Sequence, residues 1–342
     1  MGEKIIKVLV VDDSLFYREY MVGELSRDFY INVVGAASDA YMARDMILKY
    51  RPDVMVLDIQ MPKMDGIEFL KKLLPQYPLP VIVVSSIGDR VFDALDAGAV
   101  DFIEKSKPDN EDDMNDHARE IISKIKVAAS SKVSKKKVER LGKCDKEVKV
   151  GSKYKLIAIG ASTGGTEATS KVIKGFGPEF PPTVIVQHMP PVFTKLYAER
   201  LNKVCRCNVK EAENGDILEK GTIYIAPGDY HMRVNKKGSK LKLECFRGDK
   251  VNGHCPSVEV LFDSVSKIFS DDIIGVILTG MGRDGAKGLL NIKSKGGYTI
   301  GQDSNSSVVY GMPKVAYEIG AVKRQLPLDK IFSEIASKIR RD

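Results

Sequence analysis

The chain has 342 residues, of which 43% are hydrophobic and 29% are charged, a composition typical of a globular protein with two or three domains. Apolar runs such as Ile273–Leu278 are much shorter than the ~18–20 residues of a membrane-spanning helix, and the first residues lack a signal-peptide layout. The five cysteines are an odd number and sparse, which excludes a disulfide framework and shows no zinc spacing. We therefore expect a cytoplasmic protein that is not membrane-inserted.

The net charge of +7 is distributed unevenly along the chain. Residues 1–125 carry −8, residues 126–153 carry +7 and residues 154–342 carry +8, which predicts two domains and a basic linker between them. The stretch 126–153 is rich in Lys and Ser and poor in apolar residues, so we expect it to be flexible. The alternative is a solvated helix that continues from Ile121–Ile125. Because much of the positive charge lies in this stretch, and no zinc finger or RNP sequence is present, we expect no nucleic-acid partner.

In residues 1–125, short apolar runs alternate with amphipathic helical stretches. This alternation predicts a doubly wound parallel sheet, in which ligands bind beyond the carboxyl ends of the strands. The predicted strands are Lys7–Val11, Ile31–Ala36, Val54–Leu57, Val81–Val84 and Asp101–Glu104, and the predicted helices include Ser14–Ser26 and Ala40–Lys49.

Charged and hydroxyl side chains stand at the ends of these strands: Asp12 and Asp13, Asp58, Ser85 and Lys105. Three carboxylates repel one another unless a divalent cation neutralises them, and Mg²⁺ prefers such oxygen ligands. With a lysine and a hydroxyl beside it, the ion could stabilise a transferring phosphoryl group, which Asp58 would accept. The alternative is that these aspartates only cap loops and helices.

The segments LDIQMPKMDG (57–66) and PVIVVSS (80–86), together with Lys105, resemble response-regulator receiver domains. The resemblance covers about residues 5–125 and implies a flavodoxin-like fold and phosphorylation of Asp58 by a histidine kinase. It also implies a Mg²⁺ site and a switch pair. The implied metal ligands are Asp12, Asp13, Asp58 and the backbone of Gln60, and the implied switch residues are Ser85 and Lys105.

Residues 154–342 repeat the alternation in a longer form, which predicts a second α/β domain with a Rossmann-like, mostly parallel sheet. A hairpin insertion is predicted from Met232–Val234 and Leu241–Cys245. The predicted strands are Lys155–Ile159, Thr183–Val186, Thr222–Ile225, Ile273–Thr279 and Tyr298–Ile300, and the predicted helices are Phe193–Val204, Ser257–Phe269, Ala286–Lys295 and Ile331–Arg340.

A serine, a histidine and an aspartate follow three of these strands. Ser162 lies in GASTGG (160–165), which satisfies the short pattern G-x-S-x-G at a strand-to-helix turn. His188 follows the next predicted strand, and Asp284 follows Ile273–Thr279. These residues predict a nucleophile, a base and an acid that holds the imidazole Nδ1–H. The alternative for GASTGG is a phosphate-binding loop with the serine as a helix cap.

A second alternative is nucleotide binding. Gly280-x-Gly282-x-x-Gly285 is a literal dinucleotide fingerprint, and Asp303 stands about 20 residues further on, where a ribose-binding acid is expected. Against this alternative, Asp284 would direct a negative charge at a pyrophosphate, and Ser162 and His188 would have no role.

Five strings of the second half resemble chemotaxis protein-glutamate methylesterases of the CheB type: GASTGG (160–165), QHMP (187–190), IYIAPGDYHM (223–232), VILTGMGRDG (276–285) and VVYGMP (308–313). The resemblance implies a triad of Ser162, His188 and Asp284. It also implies hydrolysis of glutamate methyl esters on chemoreceptor helices, deamidation of receptor glutamines, and phosphorylation by the chemotaxis histidine kinase.

For the hydrolysis itself we expect no cofactor, and backbone N–H groups of Thr163 and Met281 are the candidate oxyanion donors. The alternative function is a receiver-gated module that binds a nucleotide or a partner without hydrolase activity.

Overall fold

The computed structural model describes residues 5–86, 88–105, 111–131 and 153–339. The chain divides into two compact units, Met1–Glu139 and Arg140–Asp342. No helix in the described residues is long and apolar enough to cross a bilayer.

The first unit contains one parallel sheet with the strand order β2-β1-β3-β4-β5. Its elements are β1 (Ile6–Val11), α1 (Leu15–Leu25), β2 (Ile31–Ala37), α2 (Ala40–Tyr50), β3 (Val54–Asp58), α3 (Gly66–Leu73), β4 (Val81–Ser85), α4 (Gly88–Ala97), β5 (Asp101–Glu104) and α5 (Glu111–Ala129). This arrangement confirms the predicted doubly wound sheet.

The local sequence explains where these elements form and end. Every residue of β3 and β4 is buried, as expected for inner parallel strands whose side chains are apolar on both faces. The side chain of Ser14 accepts a hydrogen bond from the Tyr17 N–H and caps α1, and the Asp39 carboxylate caps α2 in the same way. Both predicted strands extend by one residue, so Asp58 and Ser85 are the last residues of β3 and β4.

Helix α5 continues four residues past the predicted domain boundary at residue 125, and Val127 and Ala128 in that extension are buried. The rest of the predicted linker, residues 132–152, lies outside the described residues. The domain limits 1–125, 126–153 and 154–342 therefore stay a prediction.

The second unit contains a seven-stranded parallel sheet with the order β14-β13-β12-β6-β7-β9-β8, and a separate antiparallel hairpin of β10 and β11. Its strands are β6 (Leu156–Ala161), β7 (Thr183–Gln187), β8 (Asn208–Glu211), β9 (Thr222–Ile225), β10 (His231–Lys237), β11 (Lys240–Phe246), β12 (Ile273–Ile277), β13 (Tyr298–Gln302) and β14 (Arg324–Leu326). Its helices are α6 (Gly165–Ile173), α7 (Phe193–Val204), α8 (Val258–Ile268), α9 (Ala286–Ser294), α10 (Met312–Glu318) and α11 (Leu328–Ile339).

The sequence patterns did not predict the two strands at the edges of this sheet, β8 and β14. Both are short and largely polar, so neither produces the apolar run that identifies an inner strand. The hairpin is longer than predicted, because pairing continues through exposed polar residues to Lys237 and Lys240. The predicted strand Ile273–Thr279 ends at Ile277, since the Thr279 N–H leaves the ladder and donates to Gln302 Oε1 at 2.8 Å.

Candidate active site and phosphorylation site

Three adjacent inner strands of the second unit, β12, β6 and β7, lead directly into the loops that carry the predicted site residues. Ser162 follows β6, His188 follows β7, and Asp284 lies in the loop between β12 and α9. Backbone hydrogen bonds continue into these loops, from the Ser162 N–H to the Thr279 carbonyl (3.0 Å) and from the His188 N–H to the Ala161 carbonyl (3.1 Å). The structure therefore brings all three loops to one sheet edge.

The Ser162 loop leads into α6, but the serine does not cap this helix. The N-cap is Gly164, with a φ of 74° and no side-chain capping hydrogen bond. The helix-cap alternative for Ser162 is therefore wrong.

Gln187 connects the serine loop to the histidine loop, a role that the sequence analysis missed. Its buried side chain donates from Nε2 to the Ser162 carbonyl at 2.9 Å and to the His188 carbonyl at 3.2 Å. A Cβ at Gly165 would lie 2.3 Å from Gln187 Oε1, so only glycine leaves room for this side chain. The available signal was the polar residue at the end of an otherwise apolar strand.

The His188 imidazole is bound to Asp284 through Nε2, with 2.9 Å between Nε2 and Oδ2. The two side chains are only 7% and 1% exposed. The expectation that Nδ1–H contacts the aspartate is wrong, because the ring presents its other nitrogen. Nδ1 is buried and makes no hydrogen bond within the described part of the chain.

The Asp284 carboxylate lies at the N-terminus of α8, where backbone N–H groups and the helix dipole favour a negative charge. Burial alone would raise the pKa of Asp284. The hydrogen bond and charge of His188, together with the hydrogen bonds of Asn252 and Ser257, outweigh burial and lower this pKa from 3.8 to about 2. The acid is therefore ionised at neutral pH. Its donors are His188 Nε2, Asn252 Nδ2 (2.9 Å), Ser257 Oγ (2.7 Å), the Val258 N–H (2.7 Å) and the Glu259 N–H (3.2 Å).

The two candidate oxyanion donors lie in segments next to Ser162. Thr163 is buried, and its carbonyl accepts a hydrogen bond from Thr279 Oγ1 at 3.0 Å. Met281 is 47% exposed and follows Gly280, where an added Cβ would lie 2.7 Å from the Ser162 Cβ. The glycine thus allows the Met281 segment to approach the serine closely.

Two other histidines have different surroundings. His231 is buried, donates from Nε2 to the Asp249 carbonyl at 2.9 Å, and accepts from the Ser257 N–H at 3.3 Å. It therefore orients the start of α8. The His254 ring stacks on the His188 ring, which the sequence analysis did not anticipate.

The acid expected in a dinucleotide site has a local role instead. Asp303 accepts hydrogen bonds from the N–H and the hydroxyl of Ser306 at 2.9 and 2.7 Å. A Cβ at Gly285 would lie 2.4 Å from a Val258 methyl group, so this glycine allows the loop to pack against α8. Asp303 and Gly285 therefore have local structural roles.

The predicted acidic site of the first unit is also assembled. Lys105 Nζ lies 2.7 Å from Asp12 Oδ2 and 2.6 Å from Asp58 Oδ2. One carboxylate oxygen from each of Asp12, Asp13 and Asp58 lies within 4.8 Å of the others. Ser85 is buried at the end of β4, and the Gln60 N–H donates to Asp58 Oδ1 at 3.1 Å.

The electrostatics of this site suit a cation. Burial raises the pKa of Asp12 and the charge of Asp58 adds to this effect, although the hydrogen bond from Lys105 opposes it. Burial alone would lower the pKa of Lys105, but its hydrogen bonds to Asp12 and Asp58 raise it. Three oxygen ligands with one lysine leave an excess of negative charge, so the donor set fits Mg²⁺.

The first unit has the sheet and acidic site of a receiver domain. In the second unit, the loops after three inner strands carry a serine, a histidine and an aspartate. Together the two units define a response regulator with an enzymatic output domain. Comparison with known proteins agrees. Residues 8–119 match the response regulator receiver domain, and residues 157–335 match the CheB methylesterase family. The chain belongs to the CheB methylesterase family.

The matched relatives extend over nearly the whole chain. A protein of Syntrophomonas wolfei named "Protein-glutamate methylesterase/protein-glutamine glutaminase 2" is 53% identical, covering 95% of each chain. A protein-glutamate methylesterase/protein-glutamine glutaminase of Sulfurimonas denitrificans is 48% identical, covering 97% of this chain and 98% of its own. The crystal structure of the Thermotoga maritima CheB methylesterase catalytic domain has a TM-score of 0.53 and 40% identity, covering 54% of this chain and 98% of that chain.

Proposed function

We propose that this protein is a phosphorylation-activated hydrolase that demethylates glutamate methyl esters on chemoreceptors and deamidates receptor glutamines, for adaptation in chemotaxis. The names of the relatives support this substrate class, and no finding supports a binding module without hydrolase activity. The observation that carries the proposal is the buried His188–Asp284 pair, in which His188 Nδ1 makes no hydrogen bond within the described residues, so this nitrogen is available to take a proton.

In the proposed reaction, Ser162 Oγ attacks the side-chain carbonyl carbon and His188 Nδ1 takes its proton. The same nitrogen then protonates the leaving methanol or ammonia, and a water molecule hydrolyses the acyl-enzyme by the reverse proton path. Asp284 fixes the proton on Nε2 and stabilises the imidazolium. The N–H groups of Thr163 and Met281 would bind the oxyanion, a contribution of about 3–4 kcal/mol per donor.

In the first unit, Asp58 is the proposed phosphoryl acceptor and a chemotaxis histidine kinase the donor. Mg²⁺ would be held by Asp12, Asp13, Asp58 and the backbone of Gln60, and when bound it would neutralise charge on the phosphoryl oxygens. Lys105 would bind the phosphoryl group once Asp58 is modified, since it already contacts that carboxylate. Ser85 would supply its hydroxyl to the same group.

The proposal places the protein in the cytoplasm, where its substrates are the cytoplasmic helices of methyl-accepting chemoreceptors. The basic stretch 126–153 would connect the two domains. Hydrolysis would need no cofactor, and nucleic acid is not expected as a partner.

Methanol release from methylated receptor membranes tests this function directly. The full-length chain should release methanol, and Ser162→Ala and His188→Ala should each remove most of the activity, because the two residues act as one unit. Ser306→Ala is a matched control, because in the described part of the chain this serine bonds to Gln302, Asp303 and Leu328 and not to a residue of the candidate triad. Near wild-type turnover by a folded Ser162→Ala protein would contradict the proposal.

A further inference from the structure

The turn formed by residues 251–254 lies against the candidate triad and takes part in no step described above. Two backbone hydrogen bonds close it, from the Val251 N–H to the His254 carbonyl (3.0 Å) and from the His254 N–H to the Val251 carbonyl (3.1 Å). The residues between them have positive φ, 52° at Asn252 and 86° at Gly253, as in a tight two-residue turn. The directions of its side chains are therefore well defined.

Hydrogen bonds hold this turn to the site at its tip and just after its C-terminal end. Asn252 Nδ2 donates to Asp284 Oδ1 at 2.9 Å, which fixes the tip of the turn. Three residues after His254, Ser257 caps α8 and its N–H donates to His231 Nδ1 at 3.3 Å. A short segment held on both sides places the His254 ring with little freedom.

The His254 ring covers one face of the His188 ring. The ring centroids are 3.7 Å apart and the planes differ by 14°, so the two imidazoles are in face-to-face van der Waals contact. The hydrogen bond to Asp284 restrains only one edge of His188, and such a bond tolerates tilts of about 30°. Proton transfer from Ser162 needs a narrower alignment of the opposite nitrogen, Nδ1.

We propose that His254 is a positioning residue, which holds the plane of His188 by stacking so that Nδ1 is aligned with Ser162. This inference rests on the proposed roles of Ser162 and His188. It predicts that a flat ring at position 254 is what matters, because the ring face, rather than a hydrogen-bonding nitrogen, makes the contact with His188.

Three substitutions in the full-length chain separate a planar ring from simple volume: His254→Phe, His254→Leu and His254→Ala. The measurement is kcat and KM for methanol release from methylated receptor membranes. Alanine and leucine should lower kcat roughly 3- to 10-fold, the range of an aromatic stack, with KM changed less than about twofold. Phenylalanine should restore kcat to within about twofold of wild type. Thermal unfolding of each variant shows whether it is folded.

Wild-type kcat in folded His254→Ala would overturn the inference. So would His254→Phe as slow as His254→Leu, since the ring face would then have no part. The comparison between Phe and Leu remains decisive even if the alanine variant does not fold. Ser162→Ala separates the two proposals: if it is inactive while every His254 variant is normal, only the positioning role fails, whereas an active Ser162→Ala refutes the proposed function itself.

Discussion

Asp284→Asn is a nearly isosteric change at the most heavily hydrogen-bonded side chain of the candidate triad. Asp284 Oδ1 accepts three hydrogen bonds, and Oδ2 accepts two, from His188 Nε2 and the Val258 N–H. An asparagine has one oxygen and one NH₂ group, so it satisfies the three donors best with its oxygen at the Oδ1 position. Its NH₂ group then faces His188 and Val258.

Two effects follow from this arrangement. The Val258 N–H becomes a buried donor without an acceptor, at a cost of about 1–3 kcal/mol in the free energy of unfolding. His188 Nε2 must now accept a hydrogen bond, so the single ring proton moves to Nδ1. In that tautomer the imidazole cannot take the Ser162 proton, and we expect kcat to fall by about 10,000-fold.

Methanol release and urea unfolding at pH 7 measure the two effects on one protein preparation. Asp303→Asn is the matched control, because among the described residues the Asp303 carboxylate accepts hydrogen bonds from Ser306, and an amide oxygen can keep both bonds. It should leave kcat unchanged. A folded Asp284→Asn protein whose kcat is within roughly 10-fold of wild type would refute the assignment of ring nitrogens.

Further outcomes are expected elsewhere in the chain. Asp58→Asn should abolish labelling by a small phosphodonor with Mg²⁺, and full labelling of this variant would place the acceptor elsewhere. Gly165→Ala puts a methyl group 2.3 Å from Gln187 Oε1 and should lower kcat at least about 10-fold, whereas Gly23→Ala, with nothing within 4 Å of the added carbon, should not. Because the folded-state pKa of Asp284 is lowered from 3.8 to about 2, it contributes roughly 2 kcal/mol of stability above pH 4 that is lost as the pH falls toward 2. Asp284→Asn should flatten the urea stability profile in that range, and an unchanged profile would contradict the low pKa. The second unit alone should hydrolyse receptors faster than the unphosphorylated full chain, since residues 1–125 and 154–342 carry −8 and +8 and can attract each other. Equal rates would exclude inhibition by the first unit.

The sequence was sufficient to locate both candidate sites because parallel strands end at one edge of a sheet. Apolar runs located the inner strands, and Asp58, Ser162 and His188 were identified as polar residues within three positions of the end of such a run. The sequence did not predict the orientation of the side chains in the site. Spacing places His188 at the edge but does not decide which ring nitrogen meets Asp284, since that depends on the position of α8.

Contacts between distant segments were also beyond sequence reasoning. Asn252 and His254 reach the site from the turn before α8, which no strand pattern predicts. Gln187 was visible as a polar residue in a buried strand, but its two carbonyl acceptors belong to loops that are shaped by packing. The short strands β8 and β14 were missed because partly exposed polar residues form much of each.

The order of the strands has a consequence for how the second unit should lose activity under denaturing conditions. The residues of the candidate triad follow β12, β6 and β7, which lie inside the sheet, while β8 and β14 form its borders. Border strands exchange their amide hydrogens through local opening, whereas inner strands open only when much of the domain unfolds. When the backbone amides of β8 and β14 lose their protection from hydrogen exchange, esterase activity should therefore remain intact. Activity should disappear when the amides of the three inner strands lose that protection.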